Sequence, residues 1–548
     1  MRRVVVVGAT GVFGSRLCGM LAGIAGLEIV LAARTRTALD ALAAQLRPAY
    51  PEARIETALL DRARPEDLAR LRPWAVVDAA GPFQGSGTDL ARAACALGAH
   101  SIDLADGRAY VAGFPAALDA AARAAGVLAV TGASSTPALS HAALEPLVAG
   151  WRRLDTVAVA ISPGAQAPRG LSVIRAILSY TGRPVRVFAG GGWTERSGWS
   201  GSQRRPMPGL GRRWLALCET PDLDLLPARF PIREEALFLA GLELGAMHLG
   251  LAALAMPVRA GLVPTLVPLA KPLRFAADIL APLGTDRGGM TVEARGLDAE
   301  GRRAAARWFL TARDGAGPNV PAAAAAALVR ALAEGRETRS GAFACAGLIG
   351  RDAILRELAG LPIRTRTEER RPDEAALFPR ILGSRFDALP APVRAVHGAA
   401  AGVRLSGQAV ARTGRHPLAR LAASLMGLPP SGCHETRVAI EAAGTGERWT
   451  RRFGTARFAS TLCDAGDFGR FEERIGPLRF RFRAEAEAAA LVWHWEGWSL
   501  LGLPLPARLA PRIRARSWAD GPRYRFRVAV AHPWTGLVFA YRGRLAPG

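Results

Sequence analysis

A doubly wound α/β fold on a parallel sheet is predicted for the N-terminal part of this chain, and three observations predict it. The opening, residues 4–17, reads VVVVGATGVFGSRL, so four β-branched residues run straight into three glycines spaced three apart. A second apolar run ends in Leu31-Ala32-Ala33-Arg34. From there to residue 140, short β-branched runs alternate with Ala-rich stretches of helical length.

Val4 to Val7 suit a strand buried on both faces. Gly8, Gly11 and Gly14 permit a tight turn, close approach to a pyrophosphate and close helix packing, so Gly8, Thr10, Gly11, Val12, Phe13 and Gly14 read as a dinucleotide-binding turn at a helix N-terminus. The alternative is a glycine-rich turn in another α/β setting; the strand before it and the helix after it favour the nucleotide. At the end of the second strand an acid would take a ribose 2′-hydroxyl, whereas arginine accommodates a 2′-phosphate. Arg34, with Thr35 and Arg36, therefore points to NADP(H), against the alternative that Arg34 opens a solvated loop. Strand-like runs at 54–60, 75–79, 101–104 and 127–130 alternate with helical runs such as 88–97 and 115–125. A ligand then lies over the carboxyl ends of the strands, at Asp61, at Ala80-Gly81-Pro82-Phe83, at 103–106 and at 132–137.

At 548 residues the chain exceeds one hydrophobic core, and half of it is apolar. Its net charge of +24 comes from arginine, since Lys271 is the only lysine among 71 basic residues, a bias that reads as codon preference. The charge is +2 over residues 1–140, +10 over 141–372 and +12 over 373–548, so an anionic membrane or an acidic partner would meet the later domains. No basic stretch is interleaved with aromatics, and no nucleic-acid partner is expected. Cys18, Cys95, Cys218, Cys345, Cys433 and Cys463 show no C-x-x-C or nearby histidine pair, so neither a metal nor a disulfide framework is expected. The first strand leaves no room for a cleaved signal, and a cytoplasmic location with peripheral membrane association is the expectation. Hydrolase and kinase signatures such as G-x-S-x-G, H-E-x-x-H and a Walker lysine are absent from the sequence.

Four segments are expected: a Rossmann-type NADP-binding domain over 1–140, an α+β substrate and dimerisation domain over 141–360, a charged linker over 361–372, and a β-rich domain over 373–548. Residues 236–258 are apolar enough to raise the question of a membrane span, but Glu243 near the middle and the prolines that follow oppose it. Buried core and a membrane-apposed or dimer-forming element remain as alternatives. Pro321 and the six alanines after it start a helix expected to pack back on the sheet. In the last segment FRFR at 480–483 and YRFRVAV at 524–530 alternate apolar with polar, and six of twelve tryptophans lie between Trp449 and Trp534. Such a domain either encloses an apolar ligand or uses its aromatics as core.

Several motifs resemble the saccharopine dehydrogenase-like oxidoreductases: DAAGPFQ at 78–84, Cys95, GAHSIDLAD at 98–106, GASSTP at 132–137, GTDRGGM at 284–290, and Trp308 with G-x-G-P at 315–318. Residues 373–548 resemble an uncharacterised domain often fused to them, through Leu382-Gly383, His397, Leu428-Pro429, Trp449-x-Arg451-x-Phe453 and Tyr541-x-Gly543. The resemblance implies NADP binding and a second domain that contacts substrate and often forms a homodimer; it does not imply saccharopine as substrate. Ser101 and Gly107 depart from a common family version, in which an aromatic and an acid are frequent. The candidate proton-handling residues are Asp103, Asp106 and His100, nearest the expected nicotinamide by topology. The leading expectation is an NADP(H)-dependent oxidoreductase reducing a small, hydrophobic or lipid-like substrate. The rival is a non-catalytic nucleotide-binding protein whose C-terminal domain contacts lipid or protein.

Overall fold

The structure is a computed structural model that describes all residues except 169, 401, 444, 445, 501, 502 and 548. The chain divides into two compact units, Met1–Gly296 with Arg307–Thr367, and Leu297–Ala306 with Glu368–Gly548.

In the first unit the chain runs β1 (Arg2–Val7), α1 (Val12–Ala22), β2 (Leu27–Ala33), α2 (Arg36–Ala49), β3 (Arg54–Leu59), β4 (Ala75–Asp78), α3 (Asp89–Ala96), β5 (His100–Asp103), α4 (Arg108–Ala124), β6 (Leu128–Thr131) and α5 (Ser140–Leu147). It continues through β7 (Arg153–Ser162), α6 (Leu171–Tyr180), β8 (Pro184–Ala189), β9 (Gly192–Ser197), β10 (Gln203–Met207), β11 (Gly211–Leu217), α7 (Asp222–Arg229), β12 (Ile232–Ala240), α8 (Gly245–Arg259) and α9 (Ala270–Leu280). Then come β13 (Gly288–Leu297), β14 (Arg303–Ala312), α10 (Val320–Ala333), β15 (Gly341–Ala344), α11 (Arg351–Arg356) and β16 (Ile363–Arg370).

Seven strands form a parallel sheet in the order β15-β6-β5-β4-β1-β2-β3, so the strand order reverses beside β1 and β4. Val4, Val5 and Val6 are wholly buried, as a central parallel strand requires. Cys95 is buried against Phe114 and Leu118. Helix α10 packs on α1, and β15 after it completes the sheet beside β6, so this layer draws on residues far beyond 140. Nine strands form a second, mixed sheet, along β10-β11-β12-β7-β13-β14-β16, with β8 alongside β12 and β9 alongside β8.

Two expectations need correction. Most of the charged linker expected over 361–372 is strand: β16 lies beside β14, and its Ile363-Arg-Thr-Arg-Thr alternation fits a sheet edge better than a free connection. The apolar run over 236–258 is not one element but β12 followed by α8. Glu243 sits in the turn between them, where it accepts the N–H groups of Ala165 (2.7 Å) and Thr285 (2.8 Å) and pairs with Arg213 (2.9 Å). Among the described residues no helix is long and apolar enough to cross a membrane.

After Glu368 the second unit continues with three short helices, α12 (Leu377–Leu382), α13 (Ser384–Asp387) and α14 (Ala391–His397). The strands β17 (Val403–Thr413), β18 (Gly432–Ala443), β19 (Gly446–Phe453), β20 (Ala456–Asp464), β21 (Arg470–Ile475), β22 (Leu478–Glu487), β23 (Ala490–Leu500), β24 (Leu503–Pro504), β25 (Arg512–Asp520), β26 (Arg523–His532) and β27 (Gly536–Pro547) follow, with α15 (Pro417–Leu425) between β17 and β18. Neighbouring strands are antiparallel, and β22 pairs with β23 as well as β21, which closes ten of them into a barrel with β24 appended. Closure removes the unpaired edges that an open sheet this large would expose. Phe378, Ile381 and Val393 of the short helices pack into one end against Phe471, Phe482 and Trp493.

Candidate active site

The glycine turn is built by contacts too close for side chains. Gly8 has φ +76°, and a Cβ there would stand 2.9 Å from Ala80; on Gly14 it would stand 2.2 Å from the Gly8 carbonyl oxygen, and on Gly11 3.1 Å from the same atom. The Gly11 N–H donates to that carbonyl at 2.9 Å, and α1 starts with no side-chain cap and no acid in its first turn. Such a helix end is suited to a phosphate.

In front of this turn lies a cleft of about 950 Å³, walled by the turn and by the carboxyl ends of β2, β3 and β4. The second layer contributes Gly170 to Val173, Arg175 and Arg274. Of the cofactor residues expected from the sequence, Gly8, Thr10, Gly11, Val12, Phe13, Arg34, Thr35, Asp61, Ala80, Gly81 and Pro82 line the cleft. Three others do not line it. Gly14 serves the packing of α1 on the turn, Phe83 is buried with Ala105 and Val111, and Arg36 turns away to donate to Thr57 Oγ1 at 3.3 Å. Arg34 is exposed and makes no hydrogen bond or ion pair among the described residues.

The three candidate proton-handling residues do not form one constellation. His100 starts β5 and Asp103 ends it, so they lie at opposite ends of the strand. His100 Nδ1 accepts the Leu128 N–H at 3.0 Å, its ring meets Trp74 edge-on, and burial lowers its pKa. Asp103 is buried, and its Oδ1 accepts from Gly132 N–H (2.8 Å), Ala105 N–H (2.9 Å) and Thr131 Oγ1 (2.9 Å). Among the described residues its Oδ2 makes no close hydrogen bond; burial pushes the carboxyl up to about 7, and neighbouring Asp78 adds to the rise. Asp103 thus ties the end of β5 to the turn after β6.

Asp106 is only partly buried; its Oδ1 accepts from Gln84 Nε2 at 3.1 Å, and desolvation raises its pKa. Gly107 beside it lies against the backbone of Phe83 and Gln84, where a Cβ would approach within 3.2 Å, which accounts for glycine at that position. Asp286, in the later glycine-rich segment, accepts the Gly315 N–H at 2.9 Å.

Sequence reasoning missed several groups. Arg62 lines the cleft, donates from Nε to Asp78 at 2.6 Å, and leaves Nη2 buried without a hydrogen-bond partner among the described residues. Tyr180, at the end of α6, lies 2.8 Å from Cys218 Sγ. Burial pushes the thiol up to about 12 and raises the phenol strongly, with the Asp106 carboxylate contributing to both. These residues come from separate elements with no local spacing to mark them; only the acidic-basic pair at Asp61-Arg62 after a predicted strand offered a signal.

The glycine turn, the parallel sheet and the cleft over its carboxyl ends define a dinucleotide-binding α/β protein. More particularly, residues 4–130 match the Saccharopine dehydrogenase NADP binding domain, and residues 389–545 match a domain of unknown function, DUF4166. The chain carries a saccharopine dehydrogenase-like NAD(P)-binding oxidoreductase domain followed by that second domain. Among solved structures, it is similar to the apo saccharopine dehydrogenase (L-Glu forming) of Saccharomyces cerevisiae, at 13% identity and TM-score 0.49 over 67% of this chain and 100% of that one. It is also similar to a homospermidine synthase from Legionella pneumophila in complex with NAD, at 10% identity and TM-score 0.44 over 67% and 91%. No curated protein matches the chain.

Proposed function

We propose that this protein is an NADP(H)-dependent oxidoreductase that reduces a hydrophobic, lipid-like substrate. The observation that carries the cofactor choice is Arg34: an unpaired, exposed guanidinium at the end of β2, lining the cleft where the second ribose belongs. The Gly8 and Gly11 cradle, which side chains would fill, fits a pyrophosphate. Bound there, the nicotinamide supplies or accepts the hydride. We assign the proton to Asp106, which follows β5 outside the residues that line the cleft: it is partly exposed and desolvation favours its protonated form.

Support for an apolar substrate comes from α8 and α9. Their inner faces pack Leu251, Val258 and Ala270 against Leu178 and Trp199, while Met256, Leu262, Phe275, Ile279 and Leu283 are exposed. Arg274 of α9 lines the nucleotide cleft, so this surface is continuous with the site. Exposed Arg259, Lys271 and Arg274 beside the apolar residues suit an anionic bilayer, from which a lipid-like molecule would be drawn. The rival reading, a nucleotide-binding protein without catalysis, draws on the tied-up Asp103 and the remote His100.

Calorimetric titration tests the cofactor reading. NADPH should bind at least about tenfold tighter than NADH, equivalent to roughly 1.4 kcal/mol, and Arg34→Asp should erase the difference. Equal affinities in the unmodified protein would refute it.

A further inference from the structure

The barrel is packed at one end and hollow at the other. Beyond the plug of Phe378, Phe471 and Trp493, a cavity of about 420 Å³ runs down the barrel axis, within the roughly 300–1,000 Å³ typical of small-molecule sites. Its walls are apolar, among them Phe453, Phe480, Ile513, Val528 and Phe539. Leu418 of α15 and Trp534 in the turn before β27 both line this space and are 62% and 72% exposed, so the cavity opens to solvent between them. The exposed Leu421, Leu503 and Leu509 belong to the same open end of the barrel.

The inner end carries a small set of polar groups. Arg451 is buried, stacked over Trp449 and Phe458, and spends one bond on Ser460 Oγ at 2.9 Å. Glu473 faces it at 3.8 Å, beyond hydrogen-bond range, and makes no hydrogen bond among the described residues. The Tyr541 hydroxyl, on the same cavity, makes none either. A barrel that used its aromatics only as core would fill this volume and pair these groups. One cation and one carboxylate leave the inner end formally neutral, so an ionised ligand head would be an uncompensated buried charge. A hydroxyl could donate to Glu473 and accept from Arg451 or Tyr541, and a carbonyl could accept from either.

We propose that the C-terminal barrel is a binding chamber for one single-chain amphiphile with an uncharged hydroxyl or carbonyl head, held head-first at Arg451, Glu473 and Tyr541 with its chain toward the mouth at Leu418 and Trp534. The chamber lies wholly within the second unit, so this site is independent of the nucleotide cleft and of the reaction proposed there.

Calorimetric titration of the full chain with dodecan-1-ol and with dodecanoate tests it, with circular dichroism verifying the fold of each variant. The alcohol should bind one per chain and at least about tenfold tighter than the carboxylate. Ala515→Trp and Val528→Trp, each of which fills the cavity from a different strand, should abolish binding. Glu473→Gln leaves Arg451 uncompensated and should shift the preference toward dodecanoate. No saturable binding, tighter binding of dodecanoate to the unmodified chain, or unchanged binding in both tryptophan variants would overturn the proposal. NADPH titration of the same samples separates failure of the chamber from failure of the nucleotide reading.

Discussion

At the scale of single residues, the glycines were legible because their requirement is local. Gly8 and Gly14 sit where any side chain collides with the turn itself, and a strand-turn-helix pattern advertises that. Gly14→Ala should therefore cost on the order of 1–3 kcal/mol by overpacking, read as a lower denaturant midpoint. Asp103 was only half legible: its place at the end of β5 was visible, but not that Thr131 and Gly132, from the end of the next strand, would join the local Ala105 N–H on its Oδ1. That environment has a consequence for pH. The unfolded carboxyl titrates near 3.8 and the folded one at about 7, so between those values the native state holds the extra proton. The stability this group contributes is full below roughly pH 4, is lost as pH rises toward 7, and is level above it. Asp103→Asn, which keeps the accepting oxygen, should flatten that part of the unfolding profile; an unchanged slope would assign the titration to another group.

At the scale of elements, the sequence located strands where burial enforces a pattern and misjudged those defined by distant partners. Strands β1 to β6 lie close to their expected positions because each is a short apolar run between turn signals. Strand β15 was not foreseen, since Gly341-Ala-Phe-Ala is too short to announce itself and exists by pairing with β6. Strand β16 looked like a linker because its charges tolerate solvent. Helix α8 was masked by the apolar strand before it, and hydropathy alone does not separate a strand from a helix. With α9 it supports a test of the membrane reading. Phe275→Asp with Ile279→Asp should abolish sedimentation with anionic vesicles while changing stability by only about 0.5 kcal/mol, because both side chains are exposed. Binding in the unmodified protein should weaken with salt. Undiminished sedimentation of the double variant would move any membrane contact elsewhere.

At the scale of the whole molecule, periodicity gave the β-rich character of the C-terminal domain, but ring closure depends on β22 meeting β23 on one side while β17 meets β27 across more than a hundred residues. No local spacing encodes that. The barrel has its own apolar core, drawn from residues 377–545, so a fragment from Glu368 should unfold cooperatively by itself. His397, buried beside Phe378 and in hydrogen-bond contact with Tyr524 at 3.1 Å, has its pKa lowered from 6.5 to about 3 by burial. Its contribution is full above the unfolded value and is lost as pH falls toward 3, the opposite sign to Asp103, so the fragment should lose stability on acidification through that range. NADP(H)-dependent reduction of an apolar substrate can be followed as NADPH absorbance while the full chain is presented with apolar fractions of a cell lipid extract. NADPH should be oxidised with at least one such fraction, at a rate lowered about 100-fold or more by Asp106→Asn. NADPH that binds tightly yet is consumed with none of the fractions would contradict it and favour the non-catalytic reading.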